Sequence, residues 1–376
     1  MRLLILAVAV GLGLFAVPRA AHAYPQFQLS RDQTCTSCHL SPAGGGLLSE
    51  NGLSTAETVS QLGGAPELFH GKLPTPDWLV LGGDLRGAAG YMKTPENALA
   101  AFPMQIDVYA QATAGHLSLH VTAGPRPERV GAGAATYFWS REHYVQWQQH
   151  PGESTGLFVR AGRFMPVFGL RFAEHPMYTR RYGGTQLYAE TYGVALEYIE
   201  PKWEVHATGF IKDPFIVPVE RASGGAIYAE TRLSEHVSIG AEAMLKDTKY
   251  DRRWFYGLTG KLYLPGPDLL LSAEGQFVNQ IIDETDSNPA GGAPLQIIGN
   301  LVATKMLGDF VMLDLGIGHF DSNIRIHDLE RDAVDLNLHY FLSSHTEIAL
   351  NARYELMALG NDPAGAYALA QLHYRL

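Results

Sequence analysis

The chain has 376 residues, with 28 Lys+Arg against 38 Asp+Glu, a formal net charge of −10, 18% charged residues, 40 glycines and two cysteines. The acidic balance excludes a nucleic-acid partner, which needs a basic footprint, and two cysteines exclude a disulfide framework. Low charge, glycine above the usual ~7% and a mean hydropathy near zero exclude a disordered chain and a helical membrane bundle. They leave two or three soluble domains or one large β-barrel.

The first 23 residues read as a signal peptide. Arg2 gives a positive start, Leu3 to Val17 an apolar stretch too short to span a bilayer, and Ala21-His22-Ala23 a small-residue cleavage site before Tyr24. No later apolar run reaches the ~18 residues of a transmembrane helix, so any membrane crossing downstream must use strands.

Both cysteines fall in Thr34-Cys35-Thr36-Ser37-Cys38-His39. C-x-x-C-H is the attachment pattern of c-type haem: two thiols three positions apart make thioethers to the two vinyl groups, and the adjoining imidazole reaches the iron. A disulfide or a C-x-x-C redox pair is the alternative. Against these stand His39, the export signal and the lack of a βαβ context. One covalent haem c is therefore expected on Cys35 and Cys38, with His39 as proximal iron ligand. Residues 24–76 form a haem-binding segment or plug, too short and glycine-rich for a cytochrome core of its own. Its helical content is at most one short helix near Ser54 to Leu62. His70 is its one further histidine, so the distal ligand is His70, a residue from the rest of the chain, or absent.

From residue 77 onward apolar and polar residues alternate with the period of half-buried strands. In Leu117-Ser118-Leu119-His120-Val121-Thr122 and in Val334-Asp335-Leu336-Asn337-Leu338-His339 one face is aliphatic and the other polar. Sixteen such segments begin near 78, 103, 116, 136, 156, 191, 203, 224, 236, 253, 268, 295, 310, 332, 346 and 366. Short turns alternate with long loops at 93–102, 124–135, 166–190, 211–223, 246–252, 280–294, 321–331 and 358–365. That alternation is the pattern of outer-membrane barrels, with short turns on the periplasmic side. The expected fold is all-β: a transmembrane antiparallel up-and-down barrel of about 16 strands over residues 77–376, preceded by the haem segment. A soluble sandwich or propeller is the alternative; no blade-length repeat is present. Trp78, Trp139, Trp147, Trp203 and Trp254 sit at segment ends, as interface girdles do. The chain ends Tyr374-Arg375-Leu376, where many such barrels end on an aromatic residue.

Parity assigns Gln105, Asp107, Tyr109, His116, His120, Glu204, His206, Glu274, Asp314, Asp335, His339, Arg353 and His373 to the inner face. His116, following the tight turn at Gly115, joins His70 as a distal-ligand candidate. Met104 shares the parity of Ile106 and Val108, which directs it to lipid.

An export signal, an early Cys35-Thr36-Ser37-Cys38-His39 and a sixteen-strand barrel directly behind it resemble the fused outer-membrane cytochrome–porins, among them the iron-oxidising cytochromes of acidophilic and neutrophilic iron-oxidising bacteria. Gly162-Arg163-Phe164-Met165-Pro166-Val167-Phe168-Gly169-Leu170-Arg171 is similar to the strand-to-loop passage of many porins. The resemblance implies electron transfer across the outer membrane through the haem, with possible Fe(II)-oxidising oxidoreductase activity. It carries over residue by residue only to Cys35, Cys38 and His39. The implied partners are outer-membrane lipid, a periplasmic c-type cytochrome or other redox carrier, and an extracellular electron donor or acceptor. Loop acids Glu174, Asp213, Glu220, Asp247, Asp251, Asp283, Glu284, Asp286, Asp321, Asp328, Glu330 and Asp332 are candidates for gathering cationic donors. Two other functions fit the same sequence: a porin plugged or regulated by its haem segment, and a haem sensor or enzyme with an open sixth position.

Overall fold

The computed structural model describes residues 34–94, 96–125, 138–214, 221–283, 292–357 and 363–376. The signal peptide with its Ala21-His22-Ala23 site, residues 24–33 of the haem segment, and Glu220, Glu284 and Asp286 lie outside them.

Sixteen strands form one closed antiparallel barrel in sequence order. They are β1 (Leu79–Thr94), β2 (Glu96–Ala114), β3 (Leu117–Pro125), β4 (Phe138–Gln148), β5 (Gly156–Phe164), β6 (Thr191–Glu200), β7 (Trp203–Ile211) and β8 (Ser223–Ser234). The second half comprises β9 (Val237–Asp247), β10 (Asp251–Leu264), β11 (Leu269–Ile282), β12 (Leu295–Met306), β13 (Val311–Asp321), β14 (Glu330–Ser343), β15 (Thr346–Met357) and β16 (Pro363–Arg375). Closure comes from β1 on β16, in a register running from Asp84 opposite Arg375 to Lys93 opposite Ala366. Closing the sheet pairs the two strands that would otherwise be edges, the condition for a β-structure surrounded by hydrocarbon.

The two faces separate as the alternation predicts. On β6, Val194, Leu196 and Tyr198 face outward while Ala195, Glu197 and Ile199 are buried inside. Apolar side chains such as Leu119, Leu258, Leu301, Leu336 and Leu350 continue the outer band. Trp78, Trp147 and Trp203 stand exposed at its short-turn rim and Trp254 at its long-loop rim.

The first hairpin departs from expectation. Residues 93–102, expected as a loop, continue β1 and β2 almost to their tip, with Lys93 opposite Asn97 and Thr94 opposite Glu96. Backbone pairing needs no alternating side chains, and the alanines of Ala98-Leu99-Ala100-Ala101 hid this stretch from a pattern search. Within the hairpin the register shifts between Arg86, opposite Gln105, and Gly87, opposite Pro103, leaving Met104 as the additional residue. Proline has no N–H for the ladder and is tolerated at such a bulge. The shift reverses the parity of everything beyond it.

The segment after β5 does not project outward. Residues 165–190 fold into the barrel, carrying a short helix, α3 (Tyr178–Tyr182), which contacts β11, β12 and β13. Phe168 and Tyr178 pack there on Phe210, Met244, Phe255, Val278, Ile298 and Phe320, all from the long-loop halves of their strands. At the opposite, short-turn end the N-terminal segment enters, with α1 (Cys35–Cys38) and α2 (Glu50–Thr58). The expected helix near 54–62 thus starts and ends earlier, because Ser49 caps it: its hydroxyl accepts from the Gly52 N–H at 3.2 Å.

Candidate functional site

The Cys-x-x-Cys-His motif is built by its own neighbours. Thr34 precedes α1, and its N–H donates to the Ser37 hydroxyl at 3.1 Å, while the His39 N–H donates to the Cys35 carbonyl at 3.0 Å. One helical turn thereby brings both sulfurs and the imidazole together. The α2 helix is laid against this turn: Ser49 donates from its hydroxyl to the Ser37 carbonyl at 2.6 Å, and its N–H to the Cys38 carbonyl at 2.9 Å. Glycine is required at position 52, because a Cβ there would run into the Cys38 carbonyl oxygen.

The segment is anchored to several strand ends. Val59 packs on Met306, Met312 and Phe341. Gln61 and Leu62 donate their N–H groups to the carbonyls of Phe341 and Leu342 at 2.9 and 3.0 Å, and the Ala65 carbonyl lies 2.7 Å from His345 Nε2. Across the mouth, Thr36 donates to the Ser154 carbonyl in the β4–β5 turn. From above, the inward loop reaches down: Arg171 donates to the Pro42 carbonyl at 3.2 Å and to the Cys35 sulfur at 3.3 Å. Arg171 holds φ at +53°, a left-handed conformation that persists only where surrounding contacts fix it.

Between plug, loop and wall lies a cavity of about 1080 Å³ lined by Cys35, Cys38 and His39. Both cysteines carry thiols rather than a disulfide, as thioether formation requires. Burial raises both thiol pKa values; Arg171 works against the rise at Cys35, and Cys35 adds to it at Cys38. Burial, reinforced by the Arg375 cation, pushes His39 down to about 4, leaving the neutral imidazole that a metal can bind. Its Nδ1 is buried without a hydrogen-bond partner, as are Nε of Arg86 and Nε of Arg180 on the same cavity. These features fit a haem: paired thiols, a neutral imidazole, space for a macrocycle and half-buried cations for its carboxylates. Cys35, Cys38 and His39 are the residues that would hold it.

His70 and His116 are not among the residues lining this cavity. His70 is exposed, bonded to the Tyr374 hydroxyl at 3.1 Å and packed 4.0 Å from the His345 ring. His116 sits in the turn itself, donating from Nδ1 to the Gln148 carbonyl at 2.9 Å and stacking on Trp147 at the outer rim. Its parity with His120 is lost because a turn residue does not follow the strand pleat. Met104, directed to lipid by parity, lines the cavity instead, for the bulge at Pro103 turns it inward. Of the loop acids, Glu174 points into the cavity and Asp213 is buried on Arg163 at 2.6 Å, so neither belongs to an outer surface.

Sequence reasoning missed that the wall residues are linked. Glu347 binds Nδ1 of His339 at 2.6 Å and Nδ1 of His373 at 3.0 Å. His373 Nε2 meets Asp84 at 2.8 Å, and the Tyr109 hydroxyl donates to Asp84 at 2.7 Å. Gln105 donates to Tyr109 and Asp107, and Arg141 joins Asp107 at 2.8 Å to Glu190 at 2.9 Å. This hydrogen-bonded chain lines the lumen across β14, β15, β16, β1, β2 and β4. Apart from Gln105 and His116, the residues assigned to the inner face are buried there; which of them face one another depends on strand register.

No protein-family model matches this chain, and no match was found among the curated proteins. Solved structures do match. Outer-membrane expressed OmpT of Vibrio cholerae aligns with a TM-score of 0.61 and 12% identity, covering 81% of this chain and 100% of its own. An anion-selective porin from Comamonas acidovorans aligns at 0.56 with 12% identity, covering 79% and 99%. Salmonella typhi OmpF in complex with daunomycin aligns at 0.59 with 9% identity, covering 79% and 97%. The covered share is about that of the barrel, and at these identities the likeness is one of fold: a closed sixteen-strand antiparallel barrel of the outer-membrane porin type.

Proposed function

We propose that this protein is an outer-membrane electron conduit, a porin-like barrel that carries one covalently attached c-type haem on Cys35 and Cys38 with His39 on the iron. The observation that carries this reading is the position of the Cys-x-x-Cys-His turn: it opens on a cavity inside a closed barrel whose outer face is apolar. Bound there, the haem supplies one-electron Fe(III)/Fe(II) chemistry, at a potential set by its ligands and its burial. The chain's part is to hold it. The α1–α2 pair presents the thiols and the imidazole, Arg171 ties the inward loop to the motif, and the plug and loop bound the cavity on two sides. The short turns face the periplasm, where a soluble redox carrier meets the plug. The donor side is the long-loop end, where the exposed Asp283 and Asp328 offer charge to cations such as Fe(II), whereas Asp247 and Asp251 are paired with Arg252 and Arg253. A porin obstructed by its own N-terminal segment is the second reading, favoured by the polar lumen and the porin fold.

The test uses the full chain, expressed with cytochrome c maturation and reconstituted in liposomes that enclose an oxidised dye, with an impermeant reductant outside. The expected outcome is haem that stays on the polypeptide through denaturing electrophoresis, and dye reduction that the Cys35→Ser/Cys38→Ser double variant abolishes. Dye reduction equal in the double variant, or no covalent haem in the parent, would overturn the conduit.

A further inference from the structure

One wall of the cavity carries a donor set that the electron-transfer reading does not use. His339 on β14 is 9% exposed, and its Nε2 is buried without a hydrogen-bond partner. That nitrogen points at two carboxylates, lying 3.4 Å from Asp314 Oδ2 on β13 and 3.9 Å from Glu174 Oε1 on the inward loop. One donor atom from each of the three residues lies within 4.8 Å of the others. Donors held about 2.1 Å from one small cation stand roughly 3–4.2 Å apart, which the two measured separations satisfy.

The surroundings orient these donors. Glu347 binds the far ring nitrogen, Nδ1, at 2.6 Å. A proton on Nδ1 leaves the Nε2 lone pair facing the carboxylates, the carboxylate–histidine–metal arrangement. Thr304 donates to Asp314 Oδ1 at 2.6 Å, leaving Oδ2 for the third position. Two carboxylate oxygens and an imidazole nitrogen without a hydrogen-bond partner thus converge on one point of the cavity wall.

We propose that Glu174, Asp314 and His339 form a binding site for one divalent first-row transition cation, bound by one nitrogen and two carboxylate oxygens, with water completing its shell. The mixed set selects against calcium, which takes six to eight oxygens, and favours manganese, iron or zinc. The site joins the inward loop to the barrel wall, so the cation fixes the loop within the cavity. Nothing in it depends on the haem.

Mn(II) is the probe. Titrated into the full-length, detergent-solubilised barrel, free Mn(II) should lose its electron paramagnetic resonance signal at one equivalent per chain. Zn(II) should restore the signal and a large excess of Ca(II) should not. Glu174→Gln and Asp314→Asn should each weaken Mn(II) binding by about 10-fold or more, and Glu347→Gln, which supplies no donor to the site and reaches it only through the His339 imidazole, by about 10–100-fold. Heat-modifiable gel migration confirms that each variant is folded. Glu174 lies on the loop rather than in a strand, so its variant tests the site without altering the barrel wall. No uptake by the parent, or equal affinity in Glu174→Gln, would overturn the proposal and leave His339 as an imidazolium held between its carboxylates.

Discussion

At the scale of single residues, the lumen is governed by close approaches that a sequence pattern does not record. Gly169 shows how tight they are. It holds φ at +65°, and a Cβ there would run into Glu274 Oε1 and stand 2.9 Å from Glu242 Oε2. The next residue, Leu170, donates its N–H to Glu274 at 3.0 Å. Gly169→Ala adds a left-handed penalty of about 1–2 kcal/mol and a clash with the buried carboxylates of Glu274 and Glu242. The inward loop should lift, and trypsin should cut at Arg171, Arg180 and Arg181 severalfold faster than in the parent, with gel migration of the barrel unchanged. Equal cleavage would show that the loop's other contacts hold it without the glycine turn. The same scale marks the limit of parity reading. Cys35, Cys38 and His39 were legible as a cluster because their spacing places them on one helical turn. Met104 and His116 were misplaced because a bulge and a turn each break the period of two, and neither leaves a dependable mark in the alternation.

At the scale of elements, the strands were legible nearly to the residue, since a face between hydrocarbon and a polar interior imposes alternation on every strand. The β1–β2 tip was not, because it extends beyond that environment and alanine suits either face. What joins plug to barrel was equally hidden: α2 ends on Val59, an ordinary valine in sequence, whose value lies in meeting Met306, Met312 and Phe341. Burying a valine side chain contributes roughly 1.5–3 kcal/mol, and an aspartate in its place adds an unpaired charge. Val59→Asp should therefore release the plug without opening the barrel. Protease cleavage around Lys72 should free an N-terminal fragment, while the remaining chain keeps its heat-modifiable migration. If the fragment stays protected, its hydrogen bonds to the strand ends and turns suffice to dock it.

At the scale of the whole molecule, the porin fold and the filled lumen point in opposite directions, and ion flow decides between them. A sixteen-strand barrel leaves a water-filled channel when its interior is empty, yet two bodies lie here in series. Residues 34–76 close the short-turn mouth and tie themselves to three sides of it. Residues 165–190 cross the long-loop half, where Phe168 and Tyr178 meet a ring of buried aromatic and aliphatic side chains. Their meeting point at Arg171 and Cys35 is where the haem would sit, so a path suited to electrons is obstructed to hydrated ions at both levels. In planar bilayers the full chain should pass little current, and deletion of residues 24–72 should raise it only slightly, since the loop still blocks. Removing both that segment and loop residues 168–189 should open a channel of severalfold higher conductance, because no strand is cut and the ladder from β1 round to β16 is intact. If the full chain conducts as well as the double deletion, the bodies do not obstruct the lumen. The barrel then works as a solute pore with a tethered segment at its mouth, and the conduit reading loses its physical basis.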